Sequence, residues 1–260
     1  MSKAVLFAID NGVGVITLNR PDKYNAVNQD LINGISKYLD HAKEDQTIRA
    51  VVLTGSGKGF CSGADMSVFK HEVSPEKRRD YIINQYQPLM QKFFKLKKPI
   101  IGAINGTAAG VGAAFALACD LRVMSENSAL LYAFINIGLG PDGGASWLLS
   151  RQVGYSKAFE IAISGKKLMG NECFRLGLAN RIVKNEIILN EAISWGKLLA
   201  KKPTLAIGIT KDDIFHSMSN DLMSTISFEA ERQVTAFKSH DLNEGVSAFI
   251  QKREPNFKGK

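Results

Sequence analysis

The sequence predicts an α/β fold with a helical C-terminal part. Short apolar runs alternate with helix-period stretches up to about residue 140. Several of those runs are apolar throughout, as strands buried on both faces of a parallel sheet are. Beyond Pro141 helical periodicity takes over. At 260 residues the chain suits one such domain with a smaller helical appendage.

The opening elements form a hairpin. Val5–Ile9 and Val13–Leu18 flank Asp10-Asn11-Gly12, a strong tight-turn signal. A polar loop, Asn19 to Asn25, follows. Asn28 is placed to cap a helix over 29–43, with Leu31, Ile32, Ile35, Leu39 and Ala42 on one stripe. Ala50–Gly55 reads as a buried parallel strand. Ser74-Pro75-Glu76 opens a helix running to about Leu96, with a kink or break expected at Pro88. Pro99–Ile104 is another buried strand and Val111–Ala118 another helix. Leu121–Met124 and Ala129–Tyr132 are short strands. This alternation is the signature of βαβ crossovers around a mainly parallel sheet. After Pro141, helical patterns cover 155–164, 170–176, 185–200, 204–218, 221–238 and 243–253.

Composition narrows the function classes. The net charge of +8 points to an anionic partner. The lysines are spread out, with no block of five or six like charges, which argues against nucleic acid as the main ligand. Cys61, Cys119 and Cys173 are odd in number and lack paired spacing, so reduced thiols in a cytoplasmic setting are expected. The first residues lead straight into a strand-like run without a signal-peptide pattern. No apolar stretch is long enough to span a bilayer.

Three glycine-rich turns carry the chemical signal. They are 59–65 (Gly59 to Asp65), 105–112 (Asn105 to Gly112) and 138–144 (Gly138 to Gly144). The first two each follow a buried strand, and ligands of open α/β sheets bind at the carboxyl ends of strands. Backbone N–H groups of Ala64 and Val111 are positioned to converge there on one oxygen. Taken singly, each turn is explained by chain reversal alone. Two in adjacent units, with Asp142 on a third, favour a site. The stretch from Val111 to Ala118 offers no acid or base, so Asp142 is the candidate proton carrier. Its other reading is N-cap of a helix beginning near Gly143. Asp120, between a helix and a strand, reads as a structural hydrogen-bonding residue.

Other motifs fall away. Gly55-Ser56-Gly57-Lys58-Gly59 lacks the spacing and the Ser/Thr of a P-loop. Gly110-Val111-Gly112 has Phe115 where a dinucleotide site needs its third glycine. The histidines are isolated, and no metal spacing or Gly-x-Ser-x-Gly elbow exists. No metal and no separate cofactor are expected.

Taken in order, several pieces resemble the crotonase, or enoyl-CoA hydratase/isomerase, superfamily over essentially the whole chain. They are Leu18-Asn19-Arg20-Pro21 through Asn25-Ala26-Val27, Gly59 to Asp65, Lys98-Pro99 through Asn105-Gly106, Ala108 to Gly112, Leu117 to Asp120, Arg151 to Gly154, and Glu244-Gly245 through Phe249 to Arg253. The resemblance implies a ββα spiral core over 1–200 carrying an acyl-CoA site. A helical oligomerisation region over 201–260 goes with it, in a trimer or hexamer. CoA would belong to the substrate. The adenine would lie near Ala64, Asp65 and Met66, with Ala26 beside it, and Lys23 near the CoA phosphates. Phe249 and Lys252 would reach CoA from a neighbouring subunit.

Departures from the family pattern bear on the chemistry. The two glutamates of its hydratases fall at Ala114 and Phe134, both apolar here. Asp142 matches the acidic position of its isomerases, and Leu139-Gly140-Pro141-Asp142 resembles the epoxyphenylacetyl-CoA isomerase branch in particular. The resemblance therefore implies an acyl-CoA isomerase with Asp142 as acid and base, in an apolar setting made by Ala114, Phe134 and Phe69. The alternatives are hydration, hydrolysis or dehalogenation on the same fold, or a non-catalytic acyl-CoA or RNA binder.

Overall fold

The structure is a computed structural model describing residues 3–66 and 74–260. Strands β1 (Val5–Asp10) and β2 (Val13–Leu18) pair antiparallel across the expected turn. Asn11 and Gly12 both take positive φ there, +48° and +84°, as a tight hairpin requires. Helix α1 (Gln29–Glu44) follows, and Asn28 Oδ1 accepts the Leu31 N–H at 3.0 Å. All five residues of the predicted stripe are buried. The four large ones contribute roughly 6–12 kcal/mol of burial before entropy is subtracted, so packing rather than propensity holds this helix.

β3 (Ala50–Gly55), β4 (Ile100–Ile104) and β6 (Leu121–Met124) lie parallel beside β2, and β9 (Arg181–Ile182) closes the edge. The sheet order is β1-β2-β3-β4-β6-β9. Both faces are covered. One carries Leu31, Ile35, Phe93 and Phe115 among its buried residues, and the other packs Val15, Val52, Ile101 and Val123 beneath Ile188 and Ala192. Those last two belong to α8 (Ile188–Ala200). Double coverage explains why β3 and β4 are apolar throughout.

Four features differ from the sequence reading. First, Thr107–Ala109, inside the second glycine turn, is strand β5. It pairs parallel with β7 (Ala129–Leu131), which pairs antiparallel with β8 (Lys167–Met169), forming a second, three-stranded sheet. Three-residue strands are too short to show a period. Second, β8 and β9 lie beyond Pro141, in the part read as helical. Third, the long helix does not break at Pro88. α2 (Pro75–Tyr81) runs into a π-helical turn, Ile82–Tyr86, and then α3 (Gln87–Lys95). Pro88 has no N–H for the carbonyl four residues back, and the wider turn before it absorbs that conflict. Fourth, the helix after Asp142 is α5 (Ala145–Val153), whose N-cap is Gly144 without any side-chain cap.

The remaining helices match the predicted spans within a few residues. They are α4 (Val111–Ala118), α6 (Tyr155–Ser164), α7 (Gly170–Arg175), α9 (Thr204–Ser217), α10 (Leu222–Phe237) and α11 (His240–Gln251). Among the described residues no helix is long and apolar enough to cross a membrane. All three cysteines are free and buried. Burial pushes each thiol up to about 12.

Candidate active site

The carboxyl ends of β3 and β4 lead into the first two glycine turns, and buried amides fasten them together. Asn25 donates to the carbonyls of Ser56 (3.0 Å) and Gly59 (2.9 Å) and accepts the Arg20 N–H at 2.9 Å. Asn105 accepts the Gly55 N–H at 3.1 Å and donates to the Gly57 carbonyl at 3.0 Å. Two short parallel bridges, Val27 with Ala64 and Cys61 with Ala108, tie the first turn to both neighbours. Gly63 then faces Gly110: a methyl group added at Gly63 would lie 3.6 Å from Gly110 Cα and 2.8 Å from the Ala109 carbonyl.

These ties leave two amides over. In the bridge the partners are Val27 N–H to Gly63 O (2.7 Å) and Asp65 N–H to Val27 O (3.0 Å), which skips Ala64. Val111 is the first residue of α4, so its N–H has no partner within the helix. Among the described residues neither N–H makes a hydrogen bond. Val111 also lies at the positive end of the α4 dipole. The sequence reading put both residues on turns of adjacent units, and the structure brings those turns into contact.

Asp142 enters from the third turn. Gly143, with φ +61°, sits against Val111: an added Cβ would come 2.8 Å from Val111 Cγ2 and 3.8 Å from both Ala114 Cβ and a ring carbon of Tyr86. Asp142 is half-buried, and its side chain caps nothing; its carbonyl accepts the Ala145 N–H instead. Oδ2 lies 3.5 Å from Arg78 Nη2, whereas Oδ1 is buried with no hydrogen-bond partner among the described residues. Burial raises the Asp142 pKa, and the Arg78 charge opposes that rise. The N-cap reading of Asp142 is thereby overturned. Phe134 is buried, and its ring edge stands near Gly110. Ala114 is fully buried. The wall around the turns is therefore apolar at both positions.

The other expected site residues fall into two places. Lys23, Ala26, Asp65 and Met66 gather beside Ala64. Arg20 pairs with Asp65 at 2.9 Å and donates to the Ala26 carbonyl, and Ser62 Oγ donates to the Lys23 carbonyl at 3.2 Å. Lys23 and Met66 are exposed there. Phe249 and Lys252 lie on and just after α11. Phe249 is 85% exposed, and among the described residues no hydrogen bond or ring contact joins either residue to this neighbourhood. Phe69 lies outside the described residues. Sequence reading missed Arg78, Tyr81 and Tyr86. Arg78 stacks over Tyr81 and Tyr86, 5.5 and 5.9 Å from their ring centroids. The Ser74-Pro75 start and Pro88 are visible signals, whereas the π turn between them is not.

Comparison with known proteins fits this geometry. The Enoyl-CoA hydratase/isomerase family model matches residues 8–260. A 1,2-epoxyphenylacetyl-CoA isomerase from Escherichia coli K12 is 35% identical, with all of both chains covered. A short-chain-enoyl-CoA hydratase from Clostridium acetobutylicum is 30% identical over 96% of this chain and 95% of that one. The solved enoyl-CoA hydratase of Bacillus anthracis superposes with a TM-score of 0.93 at 28% identity, covering 99% of this chain and 100% of the other. The chain is a member of the enoyl-CoA hydratase/isomerase, or crotonase, family.

Proposed function

We propose that the protein is an acyl-CoA isomerase that moves a double bond, or rearranges a ring, through an enolate. The observation that carries this reading is the half-buried Asp142 carboxylate on the turn that packs against Val111, with Ala114 and Phe134 apolar. The thioester oxygen would accept the free N–H groups of Ala64 and Val111. Those bonds strengthen as the oxygen becomes an enolate, and each is worth about 3 kcal/mol in the transition state. Asp142 removes a proton from one acyl carbon, holds it, and returns it to another. No water is consumed, and the carboxylate is regenerated. Lys23, beside the Ala64 loop, is placed to meet CoA phosphates. A trimer or hexamer belongs to the same reading. It is supported by exposed Leu222, Phe237, Phe249 and Ile250 on the last two helices, and light scattering reads its mass directly.

Deuterated water separates the readings. With an unsaturated acyl-CoA, the expected result is a shifted double bond carrying deuterium at the new C–H position. A hydroxyacyl or free-acid product would replace isomerisation by hydration or hydrolysis, which the unpaired Asp142 Oδ1 favours as a place to hold water. No product at all would leave a binding protein.

Arg78 sets the working pH. Its charge holds the Asp142 carboxyl lower than burial alone would. The base must be ionised to act, so activity rises as pH climbs through the Asp142 value. Arg78→Met is expected to move the acidic limb of the kcat/KM profile to higher pH. An unchanged limb would show that Arg78 does not tune this carboxyl.

A further inference from the structure

A second polar group near Asp142, the Tyr86 hydroxyl, has no acceptor for its proton among the described residues. Tyr86 is 1% exposed; the Arg78 guanidinium, which can only donate, serves its hydroxyl oxygen, and among the described residues no acceptor takes the hydroxyl proton. It lines an apolar cavity of about 370 Å³ with Ile82, Met90, Phe94, Gly143 and Phe215. A buried donor left unpaired is costly, and phenylalanine would fill the same space without that cost. The ring is also held in place. Tyr81 packs edge-on against it at 5.5 Å, the Arg78 guanidinium lies over its face, and its carbon framework borders Gly143. Tyr86 closes the π-helical turn Ile82–Tyr86, an irregularity that costs helix geometry and recurs at functional sites.

The two buried groups complement each other. Asp142 Oδ1 accepts and Tyr86 Oη donates, and Gly143 lies next to both residues. They do not bond to each other, which leaves the Tyr86 proton for a third group. We propose that the Tyr86 hydroxyl is a specificity-determining donor that hydrogen-bonds an oxygen on the acyl group, selecting oxygen-substituted acyl-CoA thioesters over hydrocarbon ones. The C–H to be deprotonated then faces Asp142 while the substituent oxygen, as hydroxyl, epoxide or ring ether, accepts from Tyr86. A hydrocarbon chain in the same position leaves the donor buried and unpaired, which is how such sites reject an analogue lacking the oxygen.

This inference rests on the acyl-CoA site of the proposed function, and binding measurements separate it from the proton chemistry. Calorimetry with hexanoyl-CoA and its monohydroxylated forms would compare the wild type, Tyr86→Phe and Asp142→Asn. The wild type is expected to bind at least one hydroxylated form about tenfold more tightly than Tyr86→Phe does, with hexanoyl-CoA bound equally by both. Asp142→Asn should keep the wild-type preference. A thermal melt checks that Tyr86→Phe is folded. An equal preference in wild type and Tyr86→Phe, or an equal loss for hexanoyl-CoA and its hydroxylated forms, would overturn the assignment. If the preference holds but deuterium exchange survives in Asp142→Asn, the proton-transfer reading fails and the Tyr86 role stands.

Discussion

Asp142→Asn is expected to slow isomerisation roughly 10²–10⁴-fold, the usual worth of a positioned acid/base, while acyl-CoA binding changes little. Single-turnover kinetics with deuterium incorporation would measure it. Near-normal turnover in a folded variant would end the acid/base reading. Stability should move the other way. Burial raises the Asp142 pKa above the usual carboxylate value of 3.8, so its contribution is fully present below that value and is lost as pH rises through the folded value. At neutral pH the wild type carries a charge it would rather have in water. The Asn variant should therefore melt at the same or a higher temperature at pH 7, and the gap should close in acid.

The largest stability effect is expected at Arg122. Its side chain is buried, donating Nε to the Leu178 carbonyl at 2.6 Å and Nη1 to the Cys119 carbonyl, with Gln152 Oε1 3.1 Å from Nη2. It thereby closes the C-terminal end of α4, where a cation also suits the helix dipole. Arg122→Met removes the donors and leaves several buried acceptors without partners. A loss of about 3–5 kcal/mol follows by analogy with broken buried polar networks, which for a chain of this size lowers Tm by about 6–20 °C. Calorimetric melting is the check. A loss below about 1 kcal/mol would mean that water replaces the guanidinium freely.

What the sequence disclosed, and what it hid, follows from the range of each signal. The hairpin, the α1 stripe and the apolar strands β3 and β4 rest on local periodicity, so their bounds came out within a residue or two. The glycine turns were legible as strand-end turns, and the unbonded N–H groups of Ala64 and Val111 agree with that reading. The second sheet was hidden because β5, β7 and β8 are three residues each and are paired by chain segments far apart. Arg78 and Tyr86 were hidden for a related reason. Arg78 precedes and Tyr86 closes a π turn within the helix, and a periodicity of 3.6 residues carries no trace of that turn or of a contact with a segment some sixty residues on. Asp142 as a helix cap was locally sound, but Gly144 with φ +82° took that position instead.

The three buried thiols have a use outside the chemistry. Because burial holds them protonated near neutral pH, an alkylating reagent reaches each sulfur only while its surroundings are open. Cys61 lies in the first glycine turn, Cys119 at the end of α4, and Cys173 in α7 beside the second sheet. Labelling followed by mass spectrometry would thus time three separate openings in one molecule. A Cys61 rate that falls when acyl-CoA is added would show how far the ligand clamps the two turns together.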